Sequence, residues 1–195
     1  MNVAIILTVY DEPFEMVRDQ VQKIMEFYPN SMIILCYDGV PDYPIDGVVH
    51  HRFTTQLKTR ETAGIWMDSW LRAFLAYSDA DYMLKLDPDT AVLKRIEHWP
   101  EGEVVFGTTR SIQWTPELEI FRIHGGGCGY SRPMVQRIVD SEWLHSSEFV
   151  KNPRFQDQED VMLAHLIRKH NLNCYNHPEF SCGAPVTEIT SIAHR

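Results

Sequence analysis

With 195 residues, of which 44% are hydrophobic and 23% charged, the chain has the size and composition of one globular domain with a sizeable core, and a second independent domain is not expected. Lys plus Arg number 18 against 27 for Asp plus Glu, a net charge of -9, so the protein as a whole is repelled by nucleic acid and by anionic membranes. An anionic substrate therefore needs a local cation or a bound metal.

The chain opens MNVAIILTVYDEP, whose apolar part is too short to cross a membrane and follows no basic region, so no transmembrane segment and a cytoplasmic location are expected. Val3 to Val9 reads as a first buried strand. Pro13 then opens a helix with Phe14, Val17, Val21, Ile24 and Tyr28 on one stripe, ended by Pro29 and Asn30. Met32 to Tyr37 is a second near-continuous apolar run, closed by Asp38 and Gly39, and a short strand is expected near Val48 to Phe53. Glu61 to Tyr77 has the helical period, carrying Ile65, Trp66, Trp70, Phe74 and Tyr77 at helical spacing, with the aromatics expected in the core. The alternation of strands and helices predicts an α/β fold, a mainly parallel sheet with helices on both faces.

Tyr82 to Leu93, YMLKLDPDTAVL, carries the chemistry. Its apolar start predicts a strand that Pro88 stops at about Asp87, at the carboxyl end where open α/β sheets place their ligands. Asp87 and Asp89, one residue apart beside a rigid proline, suit a divalent cation carrying a phosphate substrate. The same residues suit an ordinary Asp-Pro-Asp turn. Val104 to Thr108 reads as another strand. Ser111 to Ile123, with Trp114, Pro116 and Phe121, has no clean period and is either a lip over a pocket or a packed surface excursion. HGGGCGYS, from His124 to Ser131, is expected to be a loop in which glycine permits positive φ or close approach to a ligand. A helix from about Pro133 to Trp143 and another from Asp157 to Lys169 follow, the second with acids crowding its first turn. The chain ends TSIAHR, placing His194 one residue from its end. Cys36, Cys128, Cys174 and Cys182 show no CxxC spacing and are expected as free thiols.

Taken in order, VAIILTVYDEP, LDPDT, GGGCGY, QED at 158 to 160 and His194 make the sequence resemble a GT-A-fold glycosyltransferase over nearly the whole chain. GGGCGYSRPMVQRI and EDV are most similar to the fringe and β-1,3-galactosyltransferase branch, and TVYDEP to the bacterial family 2 branch. The resemblance implies one GT-A (Rossmann-like) domain, with a nucleotide-binding half over about 1 to 93 and an acceptor side beyond it. It implies transfer of a sugar from a nucleotide diphosphate donor, a UDP-sugar first, to a carbohydrate or other hydroxyl acceptor.

By the same resemblance Asp89 is a direct metal ligand, Asp87 reaches the metal or the ribose, and His194 completes the site, a mixed set that suits Mn2+ better than Mg2+. His194 also reads as a solvated tail residue. Asp160 is the general base of an inverting reaction, with Glu159 the alternative, although helix capping from Asp157 accounts for the same acids. Tyr10 and Asp11 follow the first strand on the nucleotide-binding edge. By the resemblance Thr8 and Tyr10 lie along the base, Asp38 accepts a uracil N–H, Arg60 approaches the base or phosphates, Gly125, Gly126 and Gly127 lie against the donor sugar, and Trp114 forms an acceptor wall. Three rivals share these features: a silent nucleotide- or glycan-binding module, a nucleotidyltransferase, and a nucleotide-sugar hydrolase. TVYDEPFEM is acidic where a nucleotidyltransferase needs a basic glycine-rich loop.

Overall fold

The computed structural model describes residues 1–37, 42–53, 63–115, 118–146, 159–183 and 185–194. The first half runs β1 (Val3–Val9), α1 (Phe14–Phe27), β2 (Met32–Tyr37), β3 (Val49–Arg52), α2 (Ala63–Tyr77), β4 (Tyr82–Leu86) and β5 (Ala91–Val92). It continues β6 (Val105–Thr115), β7 (Leu118–Ser131), α3 (Arg132–Asp140), a single 3-10 turn, α4 (Glu159–His170), β8 (Cys174–Asn176), β9 (Phe180–Cys182) and β10 (Ile192–His194).

Seven strands form one mixed, mostly parallel sheet in the order β3-β2-β1-β4-β7-β6-β8. β7 runs antiparallel to both its neighbours, β4 and β6. All seven residues of β1 are buried, because the strand is covered on both faces. Alternation sends Val3, Ile5, Leu7 and Val9 to a core shared with Val17, Val21 and Ile24 of α1. Ala4 and Ile6 face the opposite core, built on Trp66, Trp70 and Phe74 of α2 with residues of α3 and α4. The tryptophans are thus core residues, as their spacing predicts. Ile65 is exposed because it lies about 100° from Trp66, off the stripe that Trp66, Trp70 and Phe74 define, and Tyr77, although on that stripe, is exposed as the last residue of α2.

Two expectations are corrected. Ser111 to Ile123 is no excursion: its described residues lie in the long antiparallel arms of β6 and β7, paired from Thr109↔Ile123 to Thr115↔Leu118. HGGGCGYS is not a loop either, but the carboxyl part of β7, with Gly127, Cys128 and Gly129 opposite Leu86, Lys85 and Leu84 of β4. Glycine is needed there to admit side chains. A Cβ on Gly129 would stand 2.1 Å from the Phe106 ring, and one on Gly126 would stand 2.0 Å from the His194 ring.

A small three-stranded sheet, β5-β10-β9, folds the last described residues back over the end of β4. It is fastened by Glu179, whose buried carboxylate accepts the N–H groups of Glu97 at 3.1 Å and His98 at 2.9 Å and the Ser191 hydroxyl at 2.6 Å, and contacts the His98 ring at 3.0 Å. The four cysteines are free. Among the described residues, no helix is long and apolar enough to cross a membrane.

Candidate functional site

The strand β4 ends where Pro88 removes a ladder donor, and Asp87 O accepts the Thr90 N–H at 3.0 Å, closing a turn over Pro88 and Asp89. The turn and the candidate metal-ligand pair therefore fall on the same residues. Thr90 is itself fixed, its hydroxyl bonding to Gly126 O and its carbonyl accepting from Gln20 Nε2 at 2.6 Å.

Alternation along β4 places Lys85 and Asp87 on one face. Lys85 is only 3% exposed. Its ammonium donates to Asp87 Oδ1 at 2.6 Å and to Gly125 O at 2.8 Å, and lies 3.6 Å from Glu159 Oε2. Burial opposes its charge, but Asp87 and Glu159 outweigh it and hold the group protonated well above the ordinary lysine range. Thr8, fully buried, donates to Asp87 Oδ1 at 2.7 Å. Thr8 therefore orients a carboxylate, and its burial takes it out of reach of a nucleotide base. With both donors on Oδ1, Asp87 keeps Oδ2 free of described partners.

Glu159 and Asp160 occupy the first turn of α4, where the helix dipole favours acids. Glu159 Oε1 accepts the Tyr10 hydroxyl at 2.6 Å, and burial followed by the Glu159 charge raises the Tyr10 phenol far above its usual range, so it acts as a donor. Asp160 is paired with Arg122 of β7 through Oδ2 and accepts the Val161 N–H on Oδ1 at 2.8 Å. The capping partner expected at Asp157 lies outside the described residues, as do Asp38 and Arg60.

From the other side β10 delivers His194. Its Nε2 stands 3.2 Å from Asp89 Oδ1, and one donor atom each from Asp87, Asp89 and His194 lie within 4.8 Å of one another. His194 Nδ1 is buried without a hydrogen-bond partner among the described residues. Two carboxylates and an imidazole converging this closely fit a divalent ion of the Mn2+ type. His124 lies beside them, its ring centroid 4.7 Å from that of His194, and burial, then the His194 charge, lowers its pKa.

Tyr10, Lys85, Asp87, His124, Gly125, Gly126, Glu159, Asp160 and His194 enclose a cleft of about 210 Å³. Gly125 and Gly126 thus reach the cleft, whereas Gly127 faces Ile192 and Thr90. Asp11 is exposed just beyond β1. Trp114 falls in the last residues of β6, and its side chain lies outside the described part of the structure.

Sequence reasoning missed Lys85, Arg122 and His124. Only Lys85 left a signal, being a charge inside a strand otherwise buried on both faces. Arg122 and His124 were hidden because Ser111 to Ser131 read as irregular chain rather than as a strand aimed at the cleft. The sequence matches no protein-family model, and no curated protein matches it.

Proposed function

We propose that the protein is a GT-A-fold glycosyltransferase that moves a sugar from a nucleotide diphosphate donor, most simply a UDP-sugar, to an acceptor hydroxyl with inversion. One observation carries the reading: carboxylates from β4, acids from α4 and an imidazole from β10 converge on one cleft at the carboxyl ends of β1 and β4. Three separate parts of the chain supply it.

In this reading Asp87, Asp89 and His194 hold Mn2+, or Mg2+, which when bound supplies Lewis-acid stabilisation to the departing diphosphate. Lys85 and Thr8 keep Asp87 aimed by occupying its inner oxygen. Asp160 accepts the proton of the acceptor hydroxyl as that oxygen bonds to the anomeric carbon and the diphosphate leaves from the opposite face. Arg122 orients the Asp160 carboxylate, and Tyr10 holds Glu159 beside it. Gly125 and Gly126 leave room for the sugar. A silent binding module is the second reading, favoured by the fact that Glu159 and Asp160 are both engaged, with Tyr10 and Arg122.

The test is calorimetric titration of UDP and of GDP into the protein with Mn2+ and with EDTA. The proposal expects binding of one nucleotide that disappears with EDTA. Absence of binding under both conditions overturns it. Donor turnover with and without acceptors then separates transfer, hydrolysis and silence.

A further inference from the structure

Beside the carboxylate set, two residues of the cleft wall and a buried cysteine form a second group of ligating side chains of a different chemical character. β9 and β10 run parallel with Cys182 and His194 in register, so their side chains leave the same face of the small sheet as neighbours. The His124 ring lies against His194 from β7. One donor atom each from His124, Cys182 and His194 lie within 4.8 Å of one another. The missing Cβ of Gly126 is what lets the His194 ring occupy this position.

We propose that His124, Cys182 and His194 form a second metal site, for a thiophilic ion such as Zn2+, that competes with the carboxylate site for His194. Two imidazoles and a thiolate prefer a softer ion than two carboxylates and an imidazole do. Ligand atoms around tetrahedral Zn2+ stand about 3.5 Å apart, so side-chain rotations that close the group by about 1 Å suffice. The site is protected and ready to change: Cys182 is buried and unbridged, and His194 Nδ1 is buried with no partner among the described residues. Arg110 bonds to the Cys182 carbonyl and fixes the backbone that carries the thiol. His124 Nδ1 accepts the Gly126 N–H at 3.2 Å, and ligation through Nε2 exchanges that long contact for a metal bond. Arg110 and Arg122 face the same group and oppose a dication. Cys182 releases its thiol proton on ligation, and the thiolate so formed, with Asp160 paired with Arg122, offsets them.

Competition follows from imidazole chemistry. A neutral imidazole has one lone-pair nitrogen, so His194 can ligate one ion at a time. A thiophilic ion at Cys182 therefore removes a ligand from the carboxylate site and switches it off. The competition rests on the reading that His194 serves the carboxylate site; the binding itself does not.

The test is titration of Cd2+ into the EDTA-stripped full chain, followed by the ultraviolet thiolate-to-cadmium charge-transfer band. One band-forming Cd2+ per chain is expected. It is lost in Cys182→Ser, at least tenfold weaker in His124→Ala and unchanged in Cys174→Ser, with circular dichroism verifying that each variant is folded. Absence of the band in the wild type, or a band of equal affinity in Cys182→Ser, overturns the site. In the same samples Cd2+ should weaken Mn2+-dependent UDP binding at least tenfold in the wild type and lose that effect in Cys182→Ser. Cd2+ binding through Cys182 with undiminished Mn2+-dependent UDP binding overturns the competition. A Cys182-dependent band in a protein that binds no nucleotide leaves the thiophilic site standing and removes the glycosyltransferase reading instead.

Discussion

Glu159 and Glu179 are both acids held out of solvent by hydrogen bonds, and they differ in what their surroundings leave unfinished. Glu179 is saturated by the chain itself, with two backbone N–H groups, a hydroxyl and the His98 ring. Around Glu159 the bonding is one-sided: Tyr10 and Lys85 hold the group and its neighbour Asp87 from within, while Asp87 and Asp160 still line the open cleft. A buried charge is therefore no mark of a site on its own. Closed networks fasten the fold, and open ones present it to a ligand.

Variants separate the two kinds. Asp160→Asn, in the open network, should lower sugar transfer by about 10²- to 10⁴-fold with donor binding retained, measured as product formation beside UDP calorimetry. Near-normal turnover would reassign Asp160 to the helix terminus. Lys85→Met should cost about 3 to 4 kcal/mol in urea unfolding, because Asp87 and Glu159 then face each other without their cation. A neutral result would mean that the two carboxylates reach water without the lysine.

The closed network should show itself through pH. Burial alone would raise the Glu179 carboxyl, but the Ser191 hydroxyl, the Glu97 and His98 N–H groups and the His98 ring hold it down at about 2, against an ordinary value of 4.5. A folded pKa below the unfolded one adds stability above about pH 4.5, and that stability is lost as the pH falls toward 2. Its size is about 3 kcal/mol, so Glu179→Gln should flatten the acid limb of the stability profile. An unchanged acid limb would place the acid sensitivity elsewhere. The smallest change in stability is expected for Asp89→Ala, since that side chain is 62% exposed. Its unfolding free energy in urea should stay within about 0.5 kcal/mol of wild type while Mn2+-dependent UDP affinity falls at least tenfold.

The same contrast explains how much could be read before the structure. β1, β2 and β4 were legible because strands covered on both faces write continuous apolar runs, and Pro88 punctuates the last of them. Asp87, Asp89, Glu159, Asp160 and His194 were legible as residue types in order, and the fold brings them to one cleft. Two things were hidden. Thr8 looked like a ligand contact because its burial beneath Asp87 depends on strand pairing between β1 and β4. The glycines of β7 looked like a loop because strand formation there depends on Phe106 and His194, which lie 20 or more residues from them or across another strand, filling the space where side chains would stand.

That last packing has a consequence for heredity. A methyl group at position 126 collides with the imidazole at 194, so the two positions cannot vary independently. Any descendant of this sequence that acquires alanine at 126 must first exchange the histidine at 194 for something smaller or move β10 aside, and in either case gives up a member of both proposed metal sets at once. Histidine at 194 should therefore be found only where position 126 is glycine, whereas glycine at 126 tolerates other residues at 194.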